Sequence, residues 1–119
     1  MWHKGDYRII FRYEYPSRDV AQRAMQKMVD VGAIGHVSNN YIQVASVAVL
    51  QKRVSQDGLS AWATLSTGYA FCSWNDKFVK KQGRTIAFTR AINQVQSPHC
   101  EVFAEMWNEN NKGATDEQV

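Results

Sequence analysis

The chain has 119 residues, of which 45% are hydrophobic, and it carries a formal net charge of +3. A chain of this length can form one domain with a hydrophobic core, without metal ions or disulfide bonds to hold it together. Its two cysteines form no Cys-x-x-Cys pair and no apolar run is long enough to span a membrane, which argues against a disulfide scaffold and a membrane-spanning protein. We therefore expect a cytoplasmic protein with two free thiols, and the mild positive charge favours acidic partners such as nucleic acid.

The first predicted elements are a strand and a helix. Apolar and polar residues alternate from Arg8 to Tyr15, which is the period of a half-buried strand. Ser17 is a suitable cap for a helix that runs to about Val31, and Gly32 supplies the left-handed residue that ends many helices. The apolar stripe of this helix has helical spacing and consists of Val20, Ala21, Ala24, Met25 and Met28.

A long β-hairpin follows. The segments 41–54 and 59–73 are rich in β-forming residues and flank Asp57-Gly58, which is a strong signal for a two-residue turn. Centring the turn there predicts an unbroken register with the pairs Val54–Ala61, Arg53–Trp62, Gln51–Thr64, Leu50–Leu65, Ala48–Thr67, Ser46–Tyr69 and Val44–Phe71. An apolar strip of Ala45, Val47 and Val49 is then left on the outer face, which predicts a homodimer that covers it.

The rest of the chain predicts two helices and a tail. The first spans 75–95 and begins under Asn75 or Asp76, and a shorter one begins at Pro98. The polar composition from Asn108 onward predicts a flexible tail over 108–119, after a single domain over 1–107. The element order is β-α-β-β-α-α. It predicts an α+β fold of two layers, an antiparallel sheet with helices packed on one face.

A basic cluster is the strongest functional signal. Lys77, Lys80, Lys81 and Arg84 fall within about a third of the circumference of the predicted helix, at about 100° per residue. Cations are unfavourable near a helix N-terminus, because that end already carries about half a positive charge. Two interpretations stay open: an ordinary solvated face, or a surface that binds phosphates or an acidic protein.

Other candidate residues surround this cluster. Trp74 precedes the helix, and Trp62 faces Arg53 on the more polar side of the hairpin, where aromatic rings among cations can stack on nucleic-acid bases. The alternatives are core or rim packing, and for Trp62 a surface cation–π pair. Arg90 projects toward the core, so we expect an ion pair with Glu14, Glu101 or Glu105, with a ligand-binding role as the alternative.

Signals for enzymatic activity are weak. The sequence has no nucleophile elbow, no His-Glu-x-x-His motif and no P-loop, and His99-Cys100 lacks a second ligand pair at zinc spacing. We expect no catalytic residue, no metal ion and no cofactor.

One segment resembles a known pattern. Cys72-x-x-x-Asp76-x-Phe78-x-Lys80-Lys81-x-Gly83-Arg84-x-Ile86-Ala87-x-x-Arg90-Ala91 is similar to a segment of small uncharacterised bacteriophage proteins, in which a strand that ends in Cys leads into a basic helix. This chain departs from that pattern by having Trp74 and Asn75 in the turn. The resemblance implies a phage or prophage origin and thus the host cytoplasm. By analogy it also implies a protein that binds, for example an inhibitor of host defence or transcription.

The functional hypothesis is a non-enzymatic phage-type binding protein. It would engage nucleic acid, or a host complex that handles nucleic acid, through Lys77, Lys80, Lys81, Arg84, Trp74, Trp62 and Arg53. Two alternatives stay open. One is a protein–protein inhibitor that acts through the outer sheet face. The other is a small-nucleotide-binding protein with a phosphate at the helix N-terminus near Ser73 to Lys77.

Overall fold

The computed structural model describes residues 1–117, with side chains described through residue 111, and this part of the chain forms four strands and three helices. In chain order they are β1 (Trp2–Lys4), β2 (Tyr7–Glu14), α1 (Arg18–Asp30), β3 (Ile42–Gln56), β4 (Leu59–Ser73), α2 (Lys80–Ile92) and α3 (His99–Glu117). The strands form one antiparallel sheet in the order β1-β2-β3-β4. The predicted α+β class and the order of the main elements are confirmed, and the short strand β1 is an addition.

Helix α1 begins and ends as predicted. The Val20 N–H donates to the Ser17 Oγ at 3.4 Å, and Gly32 has a φ of +77° just after the helix. Four of the five predicted stripe residues are buried, namely Ala21, Ala24, Met25 and Met28. The prediction is wrong for Val20, which is 42% exposed because it lies at the rim of the contact with the sheet.

The hairpin turns at Asp57-Gly58, where both residues have a positive φ. The three predicted pairs nearest the turn are present, but a bulge makes the other four wrong by one residue. Leu50 pairs with Ser66 while Gln51 pairs with Thr64, which leaves Leu65 as the extra residue of β4. The pairs beyond the bulge are Ala48–Gly68, Ser46–Ala70 and Val44–Cys72.

The bulge decides which side chains face the helices. Successive strand residues point to opposite faces, so a shift of one residue exchanges the two sets. Small residues, Gly68 and Ala70, therefore face α2, and Tyr69 and Phe71 stack on the other face with ring centroids 6.0 Å apart. A Cβ atom on Gly68 would overlap the Ala87 carbonyl oxygen of α2. The helix thus lies unusually close to the sheet.

The main core lies between the sheet and helices α2 and α3. Ile9, Leu50 and Phe103 are fully buried there, and Trp107 stacks on Phe88 with ring centroids 4.4 Å apart. Lys4 ties β1 to α3, because its ammonium donates to Glu105 and Glu109 at 2.9 and 2.6 Å. Hydrogen bonds and charge from Glu109 and Glu105 raise the pKa of Lys4 above its usual value.

The last helix is longer than predicted. Helix α3 continues to Glu117, so helical structure extends into the segment predicted as a tail. The polar sequence from Asn108 onward still supports a helix because residues 110 and 111 bond back through their side chains to the carbonyl oxygens of Met106 and Trp107. The prediction of a domain over 1–107 with a flexible tail stays a prediction, and residues 118 and 119 of that tail lie outside the described residues.

Helix α1 lies on the other side of the sheet from α2. Ala21 and Ala24 of α1 line the space between this helix and the sheet. The sheet side of that space is lined by Ala45, Tyr69 and Phe71, which belong to the face that α2 does not cover. The predicted layout with every helix on one face therefore holds for α2 and α3 but not for α1.

The predicted apolar strip on this outer face is buried within the protomer. Ala45, Val47 and Val49 are 3%, 1% and 5% exposed. Helix α1 covers the Ala45 end, and Val47 lies between the long cross-strand neighbours Arg12 and Tyr69. The prediction that this strip is exposed, which was the reason to expect a homodimer, is thus wrong.

Candidate nucleic-acid interface

The loop before α2 holds the first part of the basic cluster. The Asp76 N–H donates to the Ser73 carbonyl oxygen at 3.0 Å, and the Gln43 side chain donates to the carbonyl oxygens of Ser73 and Asp76 at 3.0 and 2.7 Å. These bonds fix a turn where the sequence predicts the first turn of a helix. Helix α2 therefore begins at Lys80 and not under Asn75 or Asp76, and Lys77 lies in the loop.

The basic cluster has no acidic partner among the side chains of residues 1–111. Lys77, Lys80 and Lys81 are exposed and Arg84 is half-buried, whereas the ion pairs within this range use Lys4, Arg12 and Arg53. The first turn of α2 contains no acidic residue, and its N-cap makes no side-chain capping bond within the described residues. The Lys80 ammonium lies 5.4 Å from the centre of the Tyr13 ring. Four cations and the partial positive charge of a helix N-terminus therefore share one surface.

Two exposed aromatic side chains lie beside the loop. Trp74 is 66% exposed, and its backbone N–H donates to the carbonyl oxygen of Tyr41, whose side chain is also exposed. Trp74 thus directly precedes the loop that holds Lys77, and its membership of a binding site stays a prediction. Tyr41 is outside the predicted set, because the contact depends on how the distant ends of the hairpin meet.

The other two predicted site residues lie elsewhere. Trp62 faces Arg53 as predicted, with the guanidinium 4.8 Å from the ring centre, and Arg8 approaches the same ring at 4.1 Å. Arg53 lies seven positions along β3 from Ser46, which lies under α2, so the two positions are on opposite faces and about 23 Å apart along the strand. The structure therefore divides the predicted site into two groups.

The Trp62 group includes residues that the sequence did not single out. The His3 ring centroid lies 5.9 Å from that of Trp62, and Arg8 also donates to the Gln51 side chain at 2.6 Å. Because two guanidinium groups already approach the Trp62 ring, this ring is less available for stacking on a base than Trp74.

The Arg90 side chain forms a hydrogen bond with the edge of the sheet. Its Nη1 donates to the Tyr69 carbonyl oxygen at 2.9 Å, and the Gln94 side chain donates to the Thr67 carbonyl oxygen at 3.0 Å. Both carbonyl groups belong to β4, an edge strand whose outer backbone groups need partners. The predicted ion pair with Glu14, Glu101 or Glu105 is therefore wrong, and burial lowers the pKa of Arg90.

The remaining features concern cysteines, metal ions and membranes. In the described part of the chain Cys72 and Cys100 are free thiols, and no three His, Cys, Asp or Glu side chains lie together in a group that could hold a metal ion. Within residues 1–117, none of the helices combines the length and apolar character needed to cross a bilayer.

Comparisons with protein-family models, with curated proteins and with solved structures found no match to this chain.

Proposed function

We propose that this chain is a non-enzymatic binding protein whose basic cluster contacts the phosphates of a nucleic acid, alone or within a host complex that handles nucleic acid. The resemblance of residues 72–91 to phage proteins supports an inhibitor of host defence or transcription. The observation that carries the proposal is the basic cluster itself, four cations without an ion pair among the side chains of residues 1–111.

Folding provides little reason for this arrangement. Lys80 and Lys81 occupy the first turn of α2, where the helix dipole opposes a cation, and Lys80 and Arg84 form a like-charge pair at a spacing of four residues. Both interactions are unfavourable in the isolated protein. A bound phosphate would make both favourable, because it would be attracted by the cations and by the helix N-terminus.

The exposed aromatic residues support nucleic acid over an acidic protein. Trp74 and Tyr41 are exposed and are joined by a backbone hydrogen bond, and Trp74 precedes Lys77 by three residues. Phosphate contacts combined with aromatic stacking are the usual features of proteins that bind single strands. An acidic peptide would use the cations but would give no role to the rings.

A double variant tests the proposal. Lys80→Ala/Lys81→Ala should weaken binding to labelled single-stranded and duplex DNA and RNA by about tenfold, because phosphate contacts dominate such affinities. The matched control is Arg23→Ala/Lys27→Ala on the exposed side of α1, which removes the same charge from the net +3. Equal losses in both variants would mean that only overall charge matters, and absence of any binding by the wild type would reject direct contact with nucleic acid.

A second candidate function uses the outer sheet face. The group of His3, Arg8, Arg53 and Trp62 lies there, and the tip of the hairpin exposes Leu59. These features support a protein–protein inhibitor. In that case Trp62→Ala should abolish capture of the host complex while Lys80→Ala/Lys81→Ala has no effect.

A further inference from the structure

A cavity of about 250 Å³ lies under the start of α2, between that helix and the ends of β3 and β4. Its apolar wall includes Phe78, Val79 and Ile86, and the ring of Phe78 is held edge-on by Tyr13 with centroids 5.7 Å apart. Its polar lining includes Asp76, Lys77 and Gln82. Flat apolar surface and hydrogen-bonding groups thus face the same space.

Ser46 supplies an independent sign that this site is incomplete. It lines the cavity, is 1% exposed, and its hydroxyl has no hydrogen-bond partner within the described residues. The hydroxyl points at Gly83 of α2, which lines the same cavity. In contrast Ser66, the other buried polar residue of the described chain, donates to the Ala91 carbonyl oxygen at 2.8 Å. Buried polar groups are rarely left unpaired, so a polar atom of a ligand is the natural partner for Ser46.

The size and lining of the cavity restrict the ligand. Drug-sized ligands occupy about 300 to 1,000 Å³, so this cavity has room for one flat ring system with few substituents. Phe78 and Ile86 can contact the faces of this ring system, while Ser46 and Gln82 can bond its polar edge. Inside the cavity the negative charge of the Asp76 carboxylate would repel a phosphate. At the opening Lys77 and the neighbouring Lys80 would attract one.

We propose that the cavity binds one unstacked nucleotide, with the base inside and the phosphate on the basic cluster at the opening. This deepens the proposed function and rests on it. Two sources supply this chemistry: a free mononucleotide, and an unpaired or terminal unit of a single strand. A strand would continue from the opening across the exposed Trp74 ring.

Backbone amide NMR spectra test the inference directly. AMP and CMP should shift the signals of Ser46, Cys72 and Gly83 in a saturable way, while inorganic phosphate should shift only those of Lys80 and Lys81. If inorganic phosphate reproduces the AMP shifts, the cavity holds an adventitious ion only and the inference is overturned.

Two variants separate the cavity from the basic cluster. Ile86→Trp fills the cavity and should abolish the AMP shifts while duplex DNA still binds. Its matched control is Val20→Trp on α1, where the native side chain is equally exposed, at 42% against 43%. Ser46→Ala keeps the shape and should weaken AMP binding about tenfold, the size expected for one lost hydrogen bond. Ser46→Ala therefore tests the cavity even if Ile86→Trp fails to fold.

The outcomes distinguish this inference from the proposed function. Loss of single-strand binding in Ile86→Trp identifies a strand as the source, and loss of AMP binding alone identifies the free nucleotide. If polynucleotides bind, AMP does not, and Ile86→Trp leaves single-strand affinity unchanged, then the cavity does not bind a nucleotide. The proposed binding of phosphates by the basic cluster is kept in that case. If AMP binds in the cavity and no polynucleotide binds, the proposed function is rejected and the nucleotide-binding role of the cavity is supported.

Discussion

Arg90 shows how one residue can serve the fold where a charge suggests function. The sequence predicts that this side chain projects inward, which is confirmed by its half-buried position. Its partner could not be predicted from residue types, because the acceptor is the backbone carbonyl oxygen of Tyr69. Such an acceptor becomes visible only when the sheet edge and α2 are both in place.

Replacing Arg90 tests this structural role. Arg90→Met keeps most of the aliphatic packing but leaves the Tyr69 carbonyl oxygen without its donor, so we expect the free energy of unfolding to fall by about 1 to 2 kcal/mol. Denaturant titration measures this change, with the exposed Arg18→Met on α1 as control. A loss no larger than that of the control would show that the edge carbonyl finds water instead.

At the scale of elements, local chemistry was predictable and long-range packing was not. The Ser17 cap, the turn at Asp57-Gly58 and the full extent of β4 follow from residues close in sequence. The bulge at Leu65 does not, because its advantage arises when Gly68 meets α2. The predicted start of α2 is wrong because Gln43, at the start of β3, bonds the turn before the helix. Gln43 is about 30 residues away in sequence, so this contact also depends on long-range packing.

The close contact between α2 and β4 leads to a sharp stability prediction. Gly68→Ala places a methyl group onto the backbone of α2 at Ala87 and Ala91, so we expect a loss of about 3 kcal/mol or more in unfolding free energy. Gly35→Ala is the control, because a Cβ atom there meets nothing within 4 Å. Thermal or denaturant unfolding would contradict this packing if the two variants were equally stable.

The whole molecule is flat, with extents of 45 × 43 × 22 Å. Its radius of gyration of 15.3 Å exceeds the value of about 13.5 Å that is usual for this length, because a flat molecule is less compact than a spherical one. The two groups of basic and aromatic residues lie on opposite faces of this thin molecule. The sequence predicts members of both groups but not their separation, because the separation depends on which face of the sheet α2 covers.

The most direct test of the account is the salt dependence of nucleic-acid binding. Each phosphate contact contributes about 0.7 to 0.9 to the slope of log affinity against log salt concentration. If Lys80 and Lys81 each contact a phosphate, Lys80→Ala/Lys81→Ala should flatten the wild-type slope by about 1.4 to 1.8, and Arg23→Ala/Lys27→Ala should leave it unchanged. Equal slopes for the wild type and the Lys80→Ala/Lys81→Ala variant would contradict a phosphate-binding role and would leave the basic cluster as a solvated surface.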